Sequence, residues 1–264
     1  MMKVVTLASS SRGNSVLVIG EKTNLLIDAG INISNLIAKL KLLDVEPTSI
    51  KAILSTHEHS DHSKSIGAFM RKYGSYVYTH TDDRDALMQK LGRVDESKII
   101  TFYDQDFSID EFKIKSFKLP HDSVSCVGFV VTNGESKFAY ATDLGYASED
   151  TVKNLFNCKL VILESNHDEK MLVANPNYSP ILKHRILSKT GHLSNSASAK
   201  VVCTLAQNNV KQVVLAHLSP ENNTPVLCYQ TVCEYLEAVG ITPGVNIKID
   251  VAPMDKLGTV FIIR

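Results

Sequence analysis

Residues 56–62 read Thr56-His57-Glu58-His59-Ser60-Asp61-His62, three imidazoles and two carboxylates in seven positions. The apolar run Lys51-Ala52-Ile53-Leu54-Ser55 precedes them, and Ser63-Lys64-Ser65-Ile66-Gly67-Ala68-Phe69 follows. A buried strand has no use for such a cluster at its end, because each buried polar group costs free energy unless it is partnered. A solvated loop tolerates the cluster without selecting it. A bound cation turns the same side chains into ligands. Neutral imidazole and carboxylate suit Zn²⁺, Fe or Mn²⁺, and the absence of a cysteine among them argues against a structural zinc. In an extended turn His57 and His59 face the same way, on either side of Glu58. Asp61 and His62 follow after a bend and face a second centre.

Other apolar runs stop in the same manner. Asn24-Leu25-Leu26-Ile27 stops at Asp28, the run ending Phe117-Lys118-Leu119-Pro120 at His121, and Lys137-Phe138-Ala139-Tyr140-Ala141-Thr142 at Asp143. Lys159-Leu160-Val161-Ile162-Leu163 stops at Glu164, and Lys211-Gln212-Val213-Val214-Leu215-Ala216 at His217. If the C-terminal ends of these strands share one edge, their side chains converge, as ligands do in α/β folds. Seven donors exceed what one ion needs. His57, His59 and His121 are assigned to a first ion, Asp61, His62 and His217 to a second, and Asp143 bridges the two. Two ions about 3.5–4 Å apart hold a bridging hydroxide and polarise an ester oxygen.

The chain has 264 residues, 44% of them hydrophobic, enough for a sizeable core. Lysine and arginine number 28, aspartate and glutamate also 28. That balance gives no bulk attraction for nucleic acid, so any such surface must be local. No run of about 18 apolar residues occurs, and no membrane span or apolar leader is expected. The five cysteines form no closely spaced pair and sit in apolar runs, which predicts reduced thiols and a cytoplasmic protein.

Strand-like runs dominate the first half, interrupted by a helix over 34–44 with Ser34 as N-cap, one helix over 62–72, and a polar helix over 82–92. Asn133-Gly134 marks a hairpin. From residue 148 onward, helices and strands alternate. The pattern predicts an α/β fold with two face-to-face sheets and helices on both outer sides, an αββα four-layer sandwich over residues 1–264.

Thr56, His57, His59, Asp61 and His62 match the motif THxHxDH, with His121, Asp143 and His217 as its later partners. On these residues the chain resembles the metallo-β-lactamase superfamily. The resemblance implies two mixed β-sheets flanked by helices and two divalent ions (Zn, Mn or Fe) on the sandwich edge. It makes Asp61 catalytic as well as a ligand, and gives Asp28 the task of orienting the site. The stretches Leu7–Ser15, Glu164–Asp168, Gly191–Asn195 and Ala216–Asn223 are similar to the bacterial YycJ group, also called WalJ, near ribonuclease J and tRNase Z. That likeness implies phosphodiester hydrolysis by a 5′-to-3′ exonuclease on double-stranded DNA, with His192 as proton donor or phosphate ligand and Glu164 orienting it. Only 48 residues lie between Asp143 and His192, too few for the β-CASP domain of ribonuclease J. Ser11, Arg12 and Asn14 in the first turn, Ser194 and Asn195 after His192, and the basic run with Lys183, His184, Arg185 and Lys189 are the candidates for substrate contact.

Two other activities share the motif. A small-molecule hydrolase, such as a glyoxalase II-like thioesterase or a lactonase, is one; the Glu164–His192 pair favours the nuclease, because a thioester releases its thiolate without an extra acid. Flavodiiron proteins carry a carboxylate where His59 stands.

Overall fold

The computed structural model describes residues 1–264. Its strands are β1 (Met2–Ser10), β2 (Gly13–Ile19), β3 (Asn24–Ile27), β4 (Ile50–Leu54), β5 (Tyr76–His80), β6 (Ile99–Phe102), β7 (Phe107–Ile109), β8 (Phe112–Leu119), β9 (Cys126–Asn133), β10 (Ser136–Ala141), β11 (Leu160–Glu164), β12 (Gln212–Ala216), β13 (Lys248–Val251) and β14 (Phe261–Ile263). Its helices are α1 (Ile33–Leu42), α2 (Ser60–Ser63), α3 (Ile66–Tyr73), α4 (Arg84–Leu91), α5 (Glu149–Leu155), α6 (Glu169–Ala174), α7 (Pro180–Ile186), α8 (Asn195–Gln207) and α9 (Pro225–Ala238). Two seven-stranded mixed sheets result, ordered β14-β1-β2-β3-β4-β5-β6 and β13-β12-β11-β10-β9-β8-β7.

Side-chain alternation along the strands builds the layers. In β4, Ala52 and Leu54 face the second sheet, where Phe112, Phe129, Phe138 and Tyr140 fill the space between the sheets. Ile53, one residue out of phase, joins Leu36, Leu40, Phe69 and Leu87 of the outer helices. In the second sheet, Val161 and Leu163 of β11 turn outward to Val202 and Leu205 of α8 and Val232 and Leu236 of α9. Three apolar layers between four structural ones give the expected αββα sandwich.

The ladder directions place the site. β3 pairs parallel with β4, and β10, β11 and β12 pair parallel in turn. β8 runs antiparallel to β9, and β9 to β10, so β8 and β10 point the same way. The chain therefore leaves β3, β4, β8, β10, β11 and β12 at one edge of the sandwich, as their shared polar endings predict.

Three local expectations change. Asn32, not Ser34, is the N-cap of α1, and Ser34 lies within the helix. The single helix expected over 62–72 is two, α2 and α3, because the exit of β3 runs between them. Ala29 N–H donates to the His62 carbonyl (2.8 Å) and Ser65 N–H to the Ala29 carbonyl (2.8 Å). Gly30 allows this approach, since a Cβ there would sit 1.6 Å from the Asp61 carbonyl oxygen. The short β7 and α6 have too few periodic residues to announce themselves. No helix is long and apolar enough to cross a membrane.

Phe129 is fully buried between the sheets. Phe129→Ala is expected to lower unfolding free energy by about 3–5 kcal/mol in a urea titration, through lost transfer energy plus a cavity. A loss under about 1 kcal/mol would mean that the two sheets close over the gap.

Candidate metal centre and its frame

The strand exits aim their side chains with unusual backbone. Asp28, Asp143 and His217 have φ of 59°, 64° and 58°. Residues other than glycine enter this left-handed region at a cost of roughly 1–2 kcal/mol. All three sit where a strand leaves the sheet, and the turn swings each side chain inward over the edge.

The imidazoles are oriented from behind. Buried Asp28 takes the Nδ1 proton of His62 (2.7 Å) and accepts from Thr56 N–H (2.9 Å) and the Thr56 hydroxyl (2.9 Å). His121 Nδ1 donates to the Gly191 carbonyl (3.2 Å), which can only accept. His217 Nδ1 lies 2.9 Å from Glu164 Oε1. Each of these rings thereby presents Nε2, with its lone pair, to the same space. There His121 Nε2 lies 3.3 Å from His59 Nδ1, and His217 Nε2 lies 3.4 Å from Asp61 Oδ2 and 3.5 Å from Asp143 Oδ1.

Asp143 lies at the centre of the donors. Its Oδ2 is 3.0 Å from His62 Nε2 without the alignment of a hydrogen bond, and its Oδ1 is 3.7 Å from His121 Nε2. Buried His57 Nε2 has no partner either. Donor atoms of His57, His59 and His121 lie within 4.8 Å of one another. The same spacing joins Asp61, His62 and His217, and again His57, His62 and Asp143. Unpaired buried nitrogen and oxygen facing each other at ligand spacing is the arrangement a divalent cation satisfies.

Charge balance agrees. Burial pushes the Asp61 and Asp143 carboxyls up, but His62 and His217 outweigh it and hold both well below the usual range. Burial depresses the imidazoles, yet the facing carboxylates, Asp143 first, raise His62 well above its ordinary value and His217 to about 10. His57 faces mainly other imidazoles, so burial and then His62 drive it well below its ordinary value. The centre is a net sink for positive charge, whether carried by protons or by a metal.

Glu164 holds two rings. Besides His217, its Oε1 accepts from His192 Nδ1 (2.8 Å), and its Oε2 accepts from Leu144 N–H (3.1 Å) and Leu193 N–H (2.9 Å). Burial opposes its ionisation, but His192 and His217 bring its carboxyl down to about 2. His192 is part-exposed at 19% of its side chain, beside a cavity of about 260 Å³. Burial lowers its pKa, but the Glu164 carboxylate wins and raises it.

A model of the β-lactamase superfamily domain matches residues 23–218. The chain belongs to the metallo-β-lactamase superfamily. An exodeoxyribonuclease called WalJ, from Streptococcus pneumoniae serotype 2, is 34% identical over 255 residues, covering 95% of this chain and 94% of that protein. An exodeoxyribonuclease called YycJ, from Bacillus anthracis, is 32% identical over 239 residues, 90% of each chain. The crystal structure of the metallo-β-lactamase-fold protein YhfI from Bacillus subtilis superposes with a TM-score of 0.74 at 18% identity, covering 98% of both chains, a likeness of fold.

The group's motif stretches prove to be one knot that holds the metallo-β-lactamase edge together. Asn223 Nδ2 donates to the Ser165 carbonyl (3.0 Å) and to Asn195 Oδ1 (2.9 Å), and Asn195 Nδ2 returns to Asn223 Oδ1 (3.0 Å). Asn166 Nδ2 donates to the His217 carbonyl (2.9 Å). Ser219 N–H donates to the Asn166 carbonyl (2.8 Å) and Asn166 N–H to the Leu193 carbonyl (2.8 Å). The loops carrying Glu164, His192 and His217 are thus cross-tied. His167 is buried in the knot with neither ring nitrogen partnered, and burial lowers its pKa to about 4.

The candidates for substrate contact separate. Ser11 and Arg185 line the cavity beside His192. Arg12 is exposed and pairs with Glu221 at 3.3 Å. Asn14 is buried, bracing Ser10 and reaching His62 Nε2 at 3.1 Å, so it faces the site from within. Ser194 caps α8 and donates to Glu169 at 2.7 Å, and Asn195 belongs to the knot. Lys183 Nζ donates to the Val173 carbonyl, and Arg185 pairs with Asp122, so the basic run is not a uniform charged face. The N–H groups of Ser9, Ser10, Ser11 and Arg12 all have protein acceptors, which leaves that turn no cradle for a phosphate.

Sequence reading passed over Glu58 and Gly191. Glu58 accepts from Val124 N–H (3.4 Å) and neighbours buried Asp83, whose carboxyl burial and then Glu58 raise to about 9. Below about pH 4 the folded and unfolded chains both carry the Asp83 proton, and above it only the folded chain does. Wild-type stability is therefore expected to fall as pH rises from about 4 towards 9. Asp83→Asn keeps a donor and has no proton to lose, so urea midpoints should show a flatter profile and a more stable variant at pH 8. Parallel profiles for the two proteins would show that no proton is shared.

Proposed function

We propose that the chain is a divalent-metal-dependent phosphodiester hydrolase, a nuclease whose substrate is DNA. The observation that carries this reading is the pairing of His192 with Glu164 beside the donor cluster. A thioester expels a thiolate, a good leaving group, and gains little from a dedicated acid. A phosphodiester expels a sugar alkoxide, which needs a proton. The two relatives called exodeoxyribonucleases support the same substrate class and a strand-end mode of attack. A 5′-to-3′ direction on double-stranded DNA is the finer form of this proposal, and the whole chain serves as one catalytic unit without a β-CASP clamp. We place it in the reducing cytoplasm, supported by Cys126, Cys158, Cys228 and Cys233, all buried and free of disulfides.

Two ions are proposed. His57, His59 and His121 hold one, Asp61, His62 and His217 the other, and Asp143 serves both; histidine and carboxylate donors suit Zn, Mn or Fe. When bound, they supply an activated water and neutralise charge on the phosphodiester. Asp28, Glu164 and the Gly191 carbonyl keep the imidazoles aimed. His192, with Nδ1 fixed on Glu164, turns Nε2 toward the cavity and delivers a proton to the departing oxygen. Its raised pKa keeps that proton available near neutrality.

Elemental analysis is expected to find two divalent ions per chain, with Asp143→Ala losing more metal than any single histidine variant. One ion in the wild type and no loss in Asp143→Ala would overturn the dinuclear assignment.

His192→Ala should lose roughly 10²–10⁴ in rate on end-labelled DNA. It should keep much of its rate on bis-p-nitrophenyl phosphate, whose phenolate leaves unaided. Equal losses on both substrates would remove the proton-donor role. Glu164→Gln should lose rate on DNA and metal together, because Glu164 also holds His217. A wild-type protein that hydrolyses a thioester and leaves DNA intact would favour the thioesterase reading instead.

A further inference from the structure

The cavity beside His192 has two chemically different walls. Helix α7 supplies one. Leu182 and Ile186 stand one helical turn apart on the same face, with Tyr178 just before the helix, and all three are part-exposed to the cavity. The other wall carries Ser11 and Ser219. Ser11 Oγ accepts from Asn166 Nδ2 (3.0 Å), and Ser219 Oγ accepts from Asn222 N–H (3.2 Å). Neither hydroxyl donates to any protein group. Each therefore keeps its O–H hydrogen for an acceptor in the cavity. Arg185, also of α7 and lining the cavity, rests its guanidinium on Asp122, whose Oδ1 lies 3.4 Å from His121 Nε2.

We propose that this cavity receives one unpaired terminal nucleotide, its base on Tyr178, Leu182 and Ile186 and its phosphate under Ser11, Ser219 and Arg185. The proposal rests on the phosphodiesterase reading above. An aromatic and aliphatic wall suits the π-face that every base has, so it binds without selecting sequence. Two free hydroxyl donors and a guanidinium suit phosphate oxygens. The phosphate displaces Asp122 from Arg185, exchanging one anion for another. The cavity is small, about 260 Å³, and a wall that covers the face of one base takes one unpaired nucleotide at a time. A duplex end must therefore fray before its last nucleotide enters, and one nucleotide leaves per cut.

The wall and the acid are joined. His192 N–H donates to the Ile186 carbonyl (2.9 Å), and a Cβ on Gly191 would sit 2.1 Å from that carbonyl oxygen. Gly191 is thus the residue that lets the end of α7 press against the His192 loop. The base wall and the proton donor hold a fixed separation, which sets the bond to be cut.

The chain has no tryptophan. Tyr178→Trp in the metal-loaded protein places a single reporter in the cavity and keeps an aromatic wall. Thymidine 5′-monophosphate should quench it saturably, binding at least about tenfold tighter than thymidine or inorganic phosphate. Adding Ser11→Ala and Ser219→Ala should weaken the nucleotide about tenfold or more and leave thymidine unchanged. Calorimetry of the wild type with the same three probes guards against perturbation by the reporter. Frayed duplex ends should be degraded about tenfold faster than ends closed by G·C pairs. Phosphate binding as tightly as the nucleotide, no effect of the serine changes, or equal rates on frayed and closed ends would overturn the pocket. A protein that binds the nucleotide as described yet cleaves no phosphodiester would support the pocket and sink the phosphodiesterase reading.

Discussion

One buried carboxylate ties the candidate centre together. Glu164 draws on three parts of the chain: it accepts from the His192 ring and from the backbones of Leu144 and Leu193, and its Oε1 lies 2.9 Å from the His217 ring. Leu144 follows Asp143, so a single side chain fixes the exits of β10, β11 and β12 and the loop before α8. A lone buried carboxylate would be very costly. Here its charge is met on all sides, and the same contacts set the tautomer and aim of both rings. The ring proposed to serve metal and the ring proposed to serve substrate meet at one oxygen, which keeps the two halves of the site in register.

The other half of the edge follows a parallel plan with different parts. Asp28 does for His62 what Glu164 does for His217, and Thr56 completes its hydrogen bonding. The left-handed turns at Asp28, Asp143 and His217 cost local strain, and the adjacent sheets supply the stability to hold them. Strain of this kind persists only where surrounding structure over-determines it. The close passage of Gly30 along Asp61 and His62, and the cross-tied asparagines behind Glu164, provide that constraint on the two sides.

Beside this rigid edge stands α7, away from the sheets that carry the donors. It is short, with Ile181 83% exposed, and is fastened at its end to the Gly191–His192 loop. The candidate ion-binding donors come from the strand ends, whereas the cavity residues Tyr178, Leu182 and Ile186 come from the connection between β11 and α8. A reaction centre on rigid strands with substrate contacts on a connecting segment lets one fold serve many substrates.

The sequence alone determined the donors and the edge that gathers them. Apolar runs that stop at Asp28, His57, His121, Asp143, Glu164 and His217 had to be strands, because their length and alternation fit no helix. A polar end on each had to face a common ligand. The family resemblance then rested on residues adjacent in the chain, which are legible without coordinates. Tertiary structure decided everything that depends on approach across distant segments. That Glu164 holds His217 as well as His192 requires β11 and β12 to be neighbours, and no spacing in the sequence records it. Glu58 read as a spacer in the motif, yet its partner Asp83 lies on another element. Asn14, Ser194 and Asn195 read as candidates for substrate contact, because the sequence cannot tell a polar side chain whose partners lie within the protein from one left free for a ligand. Lys183 and Arg185 stood in a basic run, but their neighbours Val173 and Asp122 reach them only when α7 folds back. Gly191 showed the same limit: its need for a missing Cβ arises from the Ile186 carbonyl, a contact created by the turn of α7 and invisible in the order of residues.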